Sequence, residues 1–187
     1  MKSFVKVGLI SGAIFSSIIL FSHDAEASED QPGDIAANIG AVGIPVIAGS
    51  VALFKEDYDG FWMFAKGAAY TLAATQALKY TVREERPNGE DDLSFPSGHS
   101  SSAFQGASYL QFRYGWKYGL PAYISAGLVG YSRVENDHHY WRDVIAGAVL
   151  ATTIQYLVTD AYIDSNKVMI TPVINQDHVG IAASFSF

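Results

Sequence analysis

Residues 35–54 read IAANIGAVGIPVIAGSVALF, twenty positions without a charge, and they set the architecture expected of the whole chain. A surface helix in water carries a polar face, and this stretch has none, so it predicts a helix enclosed by other helices or by lipid. Gly40, Gly43, Pro45, Gly49 and Ser50 interrupt it and predict a kink. Outward from its end, Lys55-Glu56-Asp57-Tyr58-Asp59-Gly60 makes a polar turn, and Phe61–Lys79 resumes an Ala-rich apolar pattern broken only by Lys66. Two such segments joined by a short turn pack as a helical hairpin.

The alternation continues downstream. Residues 81–94 form the most polar stretch, with Arg83, Glu84, Glu85, Arg86, Glu90, Asp91 and Asp92 around the turn residues Pro87 and Asn88-Gly89, and predict an exposed, solvated loop. Pro96 and Ser97 open a small-residue helix reaching about Phe112, since proline suits the first helical turn and a serine oxygen caps free N–H groups. Tyr118–Tyr131 is a fourth uncharged segment, 132–141 a polar loop, and Val144–Thr159 a fifth helix. The expected fold is all-α, an antiparallel bundle of about five helices. In the tail, Val179, Ile181, Ala183, Phe185 and Phe187 alternate, and with Lys167–Val173 they predict a small hairpin turning at residues 175–178.

Composition narrows the function. The 187 residues are 49% hydrophobic and 17% charged, with twelve Lys+Arg against nineteen Asp+Glu and a net charge of −7. No basic patch exists in which cations outnumber acids, which excludes generic nucleic-acid binding and means that any bound anion needs a local site. The absence of cysteine removes disulfides, thiolate metal sites and cysteine nucleophiles. At the N-terminus, Lys2 and Lys6 precede the apolar run Val7–Phe21 and the triplet Ala25-Glu26-Ala27. This reads as a signal peptide over residues 1–27, because the run falls short of the ~20 residues that span comfortably; an uncleaved anchor is the alternative, and both export the chain.

The polar clusters richest in reactive side chains fall at helix ends on one side of an up-down bundle. Lys79 and Arg86 close the second helix, Ser97, Gly98 and His99 open the third, Arg133 closes the fourth, and His139 with Asp143 opens the fifth. Convergence of Lys79, Arg86 and Arg133 suits a phosphoryl dianion, and the Ser97-Gly98 turn adds backbone N–H groups at a helix N-terminus. An imidazole attacks phosphorus or moves a proton near neutral pH. His139 and Asp143, four apart, are expected to stack on one helix face, the carboxylate fixing the ring while its other nitrogen attacks; His99 then protonates the leaving oxygen. His138, which would place Asp143 at i+5, is read as structural or at the substrate's edge.

Three spaced motifs carry a resemblance over 79–143. K-x6-RP is Lys79 to Pro87, PSGH is Pro96 to His99, and SR-x5-H-x3-D is Ser132-Arg133, His139 and Asp143. In these the chain resembles the type 2 phosphatidic acid phosphatases of the acid phosphatase/vanadium haloperoxidase superfamily. The resemblance implies a phosphohistidine mechanism with no metal and no cofactor: His139 nucleophile, Asp143 its orienting partner, His99 general acid and then base, with Lys79, Arg86, Ser97, Gly98 and Arg133 holding phosphate. It also implies a helical bundle, residues 28–165, followed by a tail, 166–187. Membrane members of the family have six spanning helices with the site near the outer face; five follow the leader here, and an uncleaved leader would restore six. The expected partner is a phosphorylated envelope lipid, and the expected location is the bacterial inner membrane with the site facing the periplasm, a soluble periplasmic form being the alternative. Two other functions remain open to the same residues: a metal hydrolase using Asp137, His138, His139 and Asp143, and a non-catalytic binder of anionic headgroups through Lys79, Arg86 and Arg133.

Overall fold

The computed structural model describes residues 32–162 and the backbone of 169–174 and 179–184. The leader over residues 1–27 lies outside the described residues, as does the turn at 175–178. Five helices follow in order: α1 (Pro32–Phe54), α2 (Tyr58–Val82), α3 (Gly98–Tyr114), α4 (Trp116–Glu135) and α5 (Trp141–Val158). Two strands, β1 (Met169–Ile174) and β2 (Val179–Ser184), then pair antiparallel, Met169 opposite Ser184 and Ile174 opposite Val179, the hairpin that alternation predicts.

Each helix begins and ends where local chemistry requires. Asp57 caps α2 by accepting from the Gly60 N–H at 2.9 Å, and the helix terminates at Arg83 in the left-handed region. Ser97 caps α3, its side chain accepting from the Ser100 N–H, and Gly115 at φ 86° ends that helix. A capping box opens α5: Asp143 accepts from the Tyr140 N–H at 3.0 Å. Pro45 lies inside α1.

Helix α3 is the hub and packs on α1, α2, α4 and α5. Its buried residues are mostly small, among them Gly98, Ser100, Ser101, Ser102, Ala103, Gly106, Ala107 and Ser108, and that is why four neighbours can surround it. A Cβ on Gly106 would lie 2.9 Å from the Pro45 nitrogen, so the two helices touch backbone to backbone there. Apolar clusters, Ala37, Ala41, Ile44, Ala103, Ala107, Ala126 and Val129 in one and Ala48, Ala52, Phe61, Tyr109 and Leu110 in the other, seal α1 against α3 and its neighbours. Between α3 and α5 the interior is polar: Gln105 donates to Gln155 at 2.9 Å, and Ser108 meets Thr152 at 2.9 Å.

At the end where α2 begins and α3 finishes, Asp57 accepts two bonds from Arg113, at 2.7 and 2.8 Å, and one from the Tyr114 hydroxyl at 2.7 Å. This buried fork fixes that end of the bundle and leaves the opposite end, where α3 and α5 begin, to carry other chemistry.

The close contact at Gly106 generates a paired prediction. Gly106→Val forces the α1 backbone aside and should destabilise the protein by about 1–3 kcal/mol. Gly43→Ala, whose added Cβ meets nothing within 4 Å, should be neutral or stabilise by up to about 1 kcal/mol. Denaturation midpoints of the two variants in detergent measure the difference.

Candidate active site

The end of the bundle formed by the α2 C-terminus, the α3 N-terminus, the α4 C-terminus and the α5 N-terminus gathers every residue that the motifs single out. Lys79, Arg86, Ser97, Gly98, Arg133, His139 and Asp143 are buried, and His99 is half-buried. The positive charges acting on His139 are those of Arg86, Lys79 and Arg133, and the same three act on His99.

The loop from α2 to α3 is built around a turn, Arg86-Pro87-Asn88-Gly89, closed by the Gly89 N–H on the Arg86 carbonyl at 3.0 Å, with Gly89 at φ 73°. The loop from α4 to α5 folds back on its own helix: the N–H groups of His138 and His139 both donate to the Arg133 carbonyl, at 3.1 and 3.0 Å, helped by Asp137 at φ 55°. The Asn88 N–H donates to the Asp137 carbonyl at 3.1 Å, and the Ser97 N–H to the Asp143 carbonyl at 3.1 Å. Backbone bonds therefore set the relative position of the three motifs.

Arg86 makes three side-chain contacts. Its Nε donates to Asp91 at 2.7 Å, and its Nη1 donates to the His138 carbonyl and to His139 Nε2, both at 3.2 Å. A guanidinium has only donors, so Nε2 of His139 accepts and carries a lone pair; the ring proton is on Nδ1. Nδ1 faces Ser94 Oγ at 3.3 Å, and Ser94 donates in turn to Asp143 Oδ2 at 2.5 Å. Direct separation of Nδ1 from Asp143 Oδ2 is 3.7 Å. Burial pushes the His139 imidazole down to about 4, with Arg86, Lys79 and Arg133 adding to the effect and Asp143 opposing it. At neutral pH this histidine is uncharged, with its lone pair on Nε2.

Two expectations are corrected here. His139 and Asp143 do not stack on one helix face, because α5 begins at Trp141 and His139 lies in the preceding loop; Ser94, from the other loop, fills the gap that the helical spacing left. Nor is the acidic loop only a solvated one. Asp91 anchors Arg86, Asp92 pairs with Arg83 at 3.0 Å, and Glu84 pairs with Arg142.

Lys79 donates to the Leu93 carbonyl. Arg133 donates through Nη1 to Asp34 at 2.8 Å, and the same Asp34 oxygen accepts from Asn136 at 3.0 Å and stands 3.0 Å from His138 Nε2. His138 is thus tied to α1 at one nitrogen and meets Asn88 Nδ2 at 3.3 Å with the other, a structural placement. His99 Nε2 lies 2.7 Å from Asn38 Oδ1, also on α1. The Ser97 hydroxyl accepts from both Ser100 N–H and Ser100 Oγ, which leaves its own proton for a ligand.

Ser94, Asp34 and Asn38 escape the motif reading. Asp34 closes the acidic, Pro/Gly-containing stretch 28–34, Asn38 belongs to an otherwise apolar helix, and Ser94 to a polar loop. The one available signal is spacing: Asp34 and Asn38 are four apart and so share a helix face. Among the described residues no group of three or more His, Asp or Glu is arranged to hold a metal ion.

Comparison with known proteins bears on the family and the fold. The PAP2 superfamily model matches residues 61–167. The lipid A 4'-phosphatase of Helicobacter pylori is 30% identical over 181 residues, 89% of this chain and 91% of that one. The lipid A 1-phosphatase of Porphyromonas gingivalis is 33% identical over 102 residues, 51% of this chain but 23% of its own length. Among solved structures, that of Aquifex aeolicus LpxE superposes with a TM-score of 0.51 at 18% identity, covering 63% of this chain and 82% of the other, and shares the helical fold. Motif order, bundle and a match along nearly the full length of a relative all lead to one assignment: the chain belongs to the PAP2 superfamily.

Proposed function

We propose that this protein is a phosphatase of phosphorylated envelope lipids, working through a phosphohistidine at His139 without a metal. The observation that carries the reading is the lone pair of His139 Nε2 held 3.2 Å from a guanidinium N–H of Arg86. A phosphate dianion meeting Nη2 of Arg86, with Lys79, Arg133 and the Ser97-Gly98 helix start around it, arrives at the nucleophile with its charge largely neutralised.

The steps follow from the groups present. Nε2 of His139 bonds to phosphorus as the ester P–O bond breaks, its electron pair going to the leaving oxygen, which takes a proton from His99. Positive charge on the phosphorylated ring is stabilised through Nδ1–H, Ser94 and Asp143. His99 then removes a proton from water, whose oxygen attacks phosphorus and returns the electron pair to His139.

Lipid A is the first substrate in this reading, since two of the relatives are lipid A phosphatases; phosphatidic acid, phosphatidylglycerol phosphate and undecaprenyl diphosphate present the same chemistry. Membrane placement rests on the inversion of the ordinary core rule. Ile39, Ile47, Phe54, Leu128 and Leu157 face outward while serines and glutamines are buried. Among the described residues α1 is the helix that is long and apolar enough to cross, with a mean hydropathy of 1.8. Exposed aromatics ring both ends, Tyr80, Tyr131 and Trp141 beside the site and Tyr58, Trp62 and Trp116 opposite. The site would then lie at one membrane face, the periplasmic one if residues 1–27 export the chain.

Phosphate release from a panel of these lipids tests the proposal. Activity should persist in a chelator, fall with vanadate, and drop by about 10³-fold or more in His139→Ala; an unchanged His139→Ala would show the nucleophile to be elsewhere, and wild-type protein that binds the lipids but releases nothing would favour a headgroup binder.

Ser94→Ala removes a hydrogen bond to a charged group, worth about 1.5–3 kcal/mol, and should slow turnover roughly 10- to 100-fold with little change in KM.

Because His139 must be neutral to attack and its imidazole is held down to about 4, the acid limb of kcat/KM should fall near pH 4 instead of 6.5. The same depressed value means that unfolded chains bind a proton that folded ones refuse, so stability is full above pH 6.5 and declines as pH drops toward 4.

A further inference from the structure

Asn38 stands outside all three motifs and outside residues 61–167, yet it touches the site. Its Oδ1 is 2.7 Å from Nε2 of His99, a contact that joins α1 to the first turn of α3. The charged groups acting on His99 from the other elements are Arg133 on α4, His139 before α5, Lys79 near the end of α2 and Arg86 in the loop after it. Arg86, Lys79 and Arg133 are donors only, so none of them can accept from the ring. Asn38 supplies an acceptor where the surrounding motif cations offer none.

We propose that Asn38 is a positioning residue for proton delivery: by accepting the Nε2–H of His99 it commits Nδ1 to exchange protons with the leaving oxygen and with water. This deepens the reading of His99 as the general acid and rests on it. An amide oxygen only accepts, so Nε2 keeps its proton in both charge states of the ring, and the proton that comes and goes is the one on Nδ1. In the first half-reaction Nδ1–H gives its proton to the departing oxygen and His99 becomes neutral. In the second, Nδ1 takes a proton from the attacking water and the cation is restored.

The helix that carries Asn38 is itself pinned at the site. One turn earlier Asp34 accepts from Arg133 and Asn136, and the Gly33 carbonyl accepts from Ser132 Oγ at 2.7 Å. Helix α1 cannot slide without releasing a phosphate-site arginine, so the depth of Asn38 beside His99 is set by three groups at the C-terminal end of α4. That rigidity is what lets a neutral amide define a ring orientation.

Leaving-group chemistry separates this role from a structural one. A lipid alkoxide needs a proton to leave, whereas nitrophenolate does not, and kcat/KM reports the step in which the ester bond breaks. With the full chain and two probes, phosphatidic acid and p-nitrophenyl phosphate, Asn38→Ala should lower kcat/KM on the lipid about 10- to 100-fold while changing the aryl ester by less than about threefold. Asn38→Asp, which restores an oxygen at the same reach, should recover most of the lipid rate. Equal losses on both esters, or no loss on either, overturn the proposal and leave the phosphatase reading intact as long as His139→Ala is dead. Wild-type protein that releases phosphate from neither probe, or an active His139→Ala, overturns that reading and this inference with it.

Discussion

The contact between Arg86 Nη1 and His139 Nε2 is the constraint on which the rest depends, because a donor-only group placed 3.2 Å from a ring nitrogen decides where the lone pair lies. Those residues are 53 positions apart, on loops that close opposite sides of the site. Keeping them at hydrogen-bond distance requires the two loops to be tied to each other, and Asn88 to Asp137 and Ser97 to Asp143 are those ties. It also requires α3, α4 and α5 to begin or end within reach of one another. A Cβ on Gly130 would lie 2.6 Å from Val144, and one on Gly147 would lie 2.7 Å from the Ser97 carbonyl. Small residues on the helices thus set the distance over which the catalytic loops work, and packing and chemistry are one requirement here.

The helices were legible in the sequence because each is an uncharged run bounded by polar turns, and boundaries missed by only a few residues. Charged or capping residues at the ends, such as Asp57, Ser97 and Asp143, do the bounding. The motif residues were legible for a related reason, since reactive side chains stand out against an apolar chain. What escaped is what holds them. Ser94 between His139 and Asp143 cannot be read from spacing, because its position depends on how a fifteen-residue loop closes, and the i, i+4 rule, which pairs His139 with Asp143 at 3.7 Å here although His139 precedes the helix, says nothing of a third group between them. Asp34 and Asn38 escaped because they act 99 and 61 positions away from Arg133 and His99. Tertiary pairing over that distance leaves no local pattern in a single sequence.

The electrostatics of the site explain why these supporting groups are needed. Buried cations without acceptors would repel one another and draw in water or disorder, and a fully neutralised set would not attract phosphate. The structure takes a middle course. Arg86 leans on Asp91, Arg133 on Asp34, and Lys79 on the Leu93 carbonyl, each acceptor coming from a segment other than the one that carries the cation's catalytic partner. The carboxylates hold the guanidinium planes in place, and burial keeps the His139 imidazole uncharged, with the positive charge of Arg86, Lys79 and Arg133 adding to the effect. The positive field that adds to this effect is also the one that a dianionic substrate would enter in the proposed reaction. In the proposed reaction the phosphorylated ring is cationic, and its Nδ1–H faces Ser94, which is bonded to Asp143. A site preorganised in this way needs little movement between the two proposed half-reactions, which accords with Arg133 being anchored on α1 and His139 on Ser94 of the other loop.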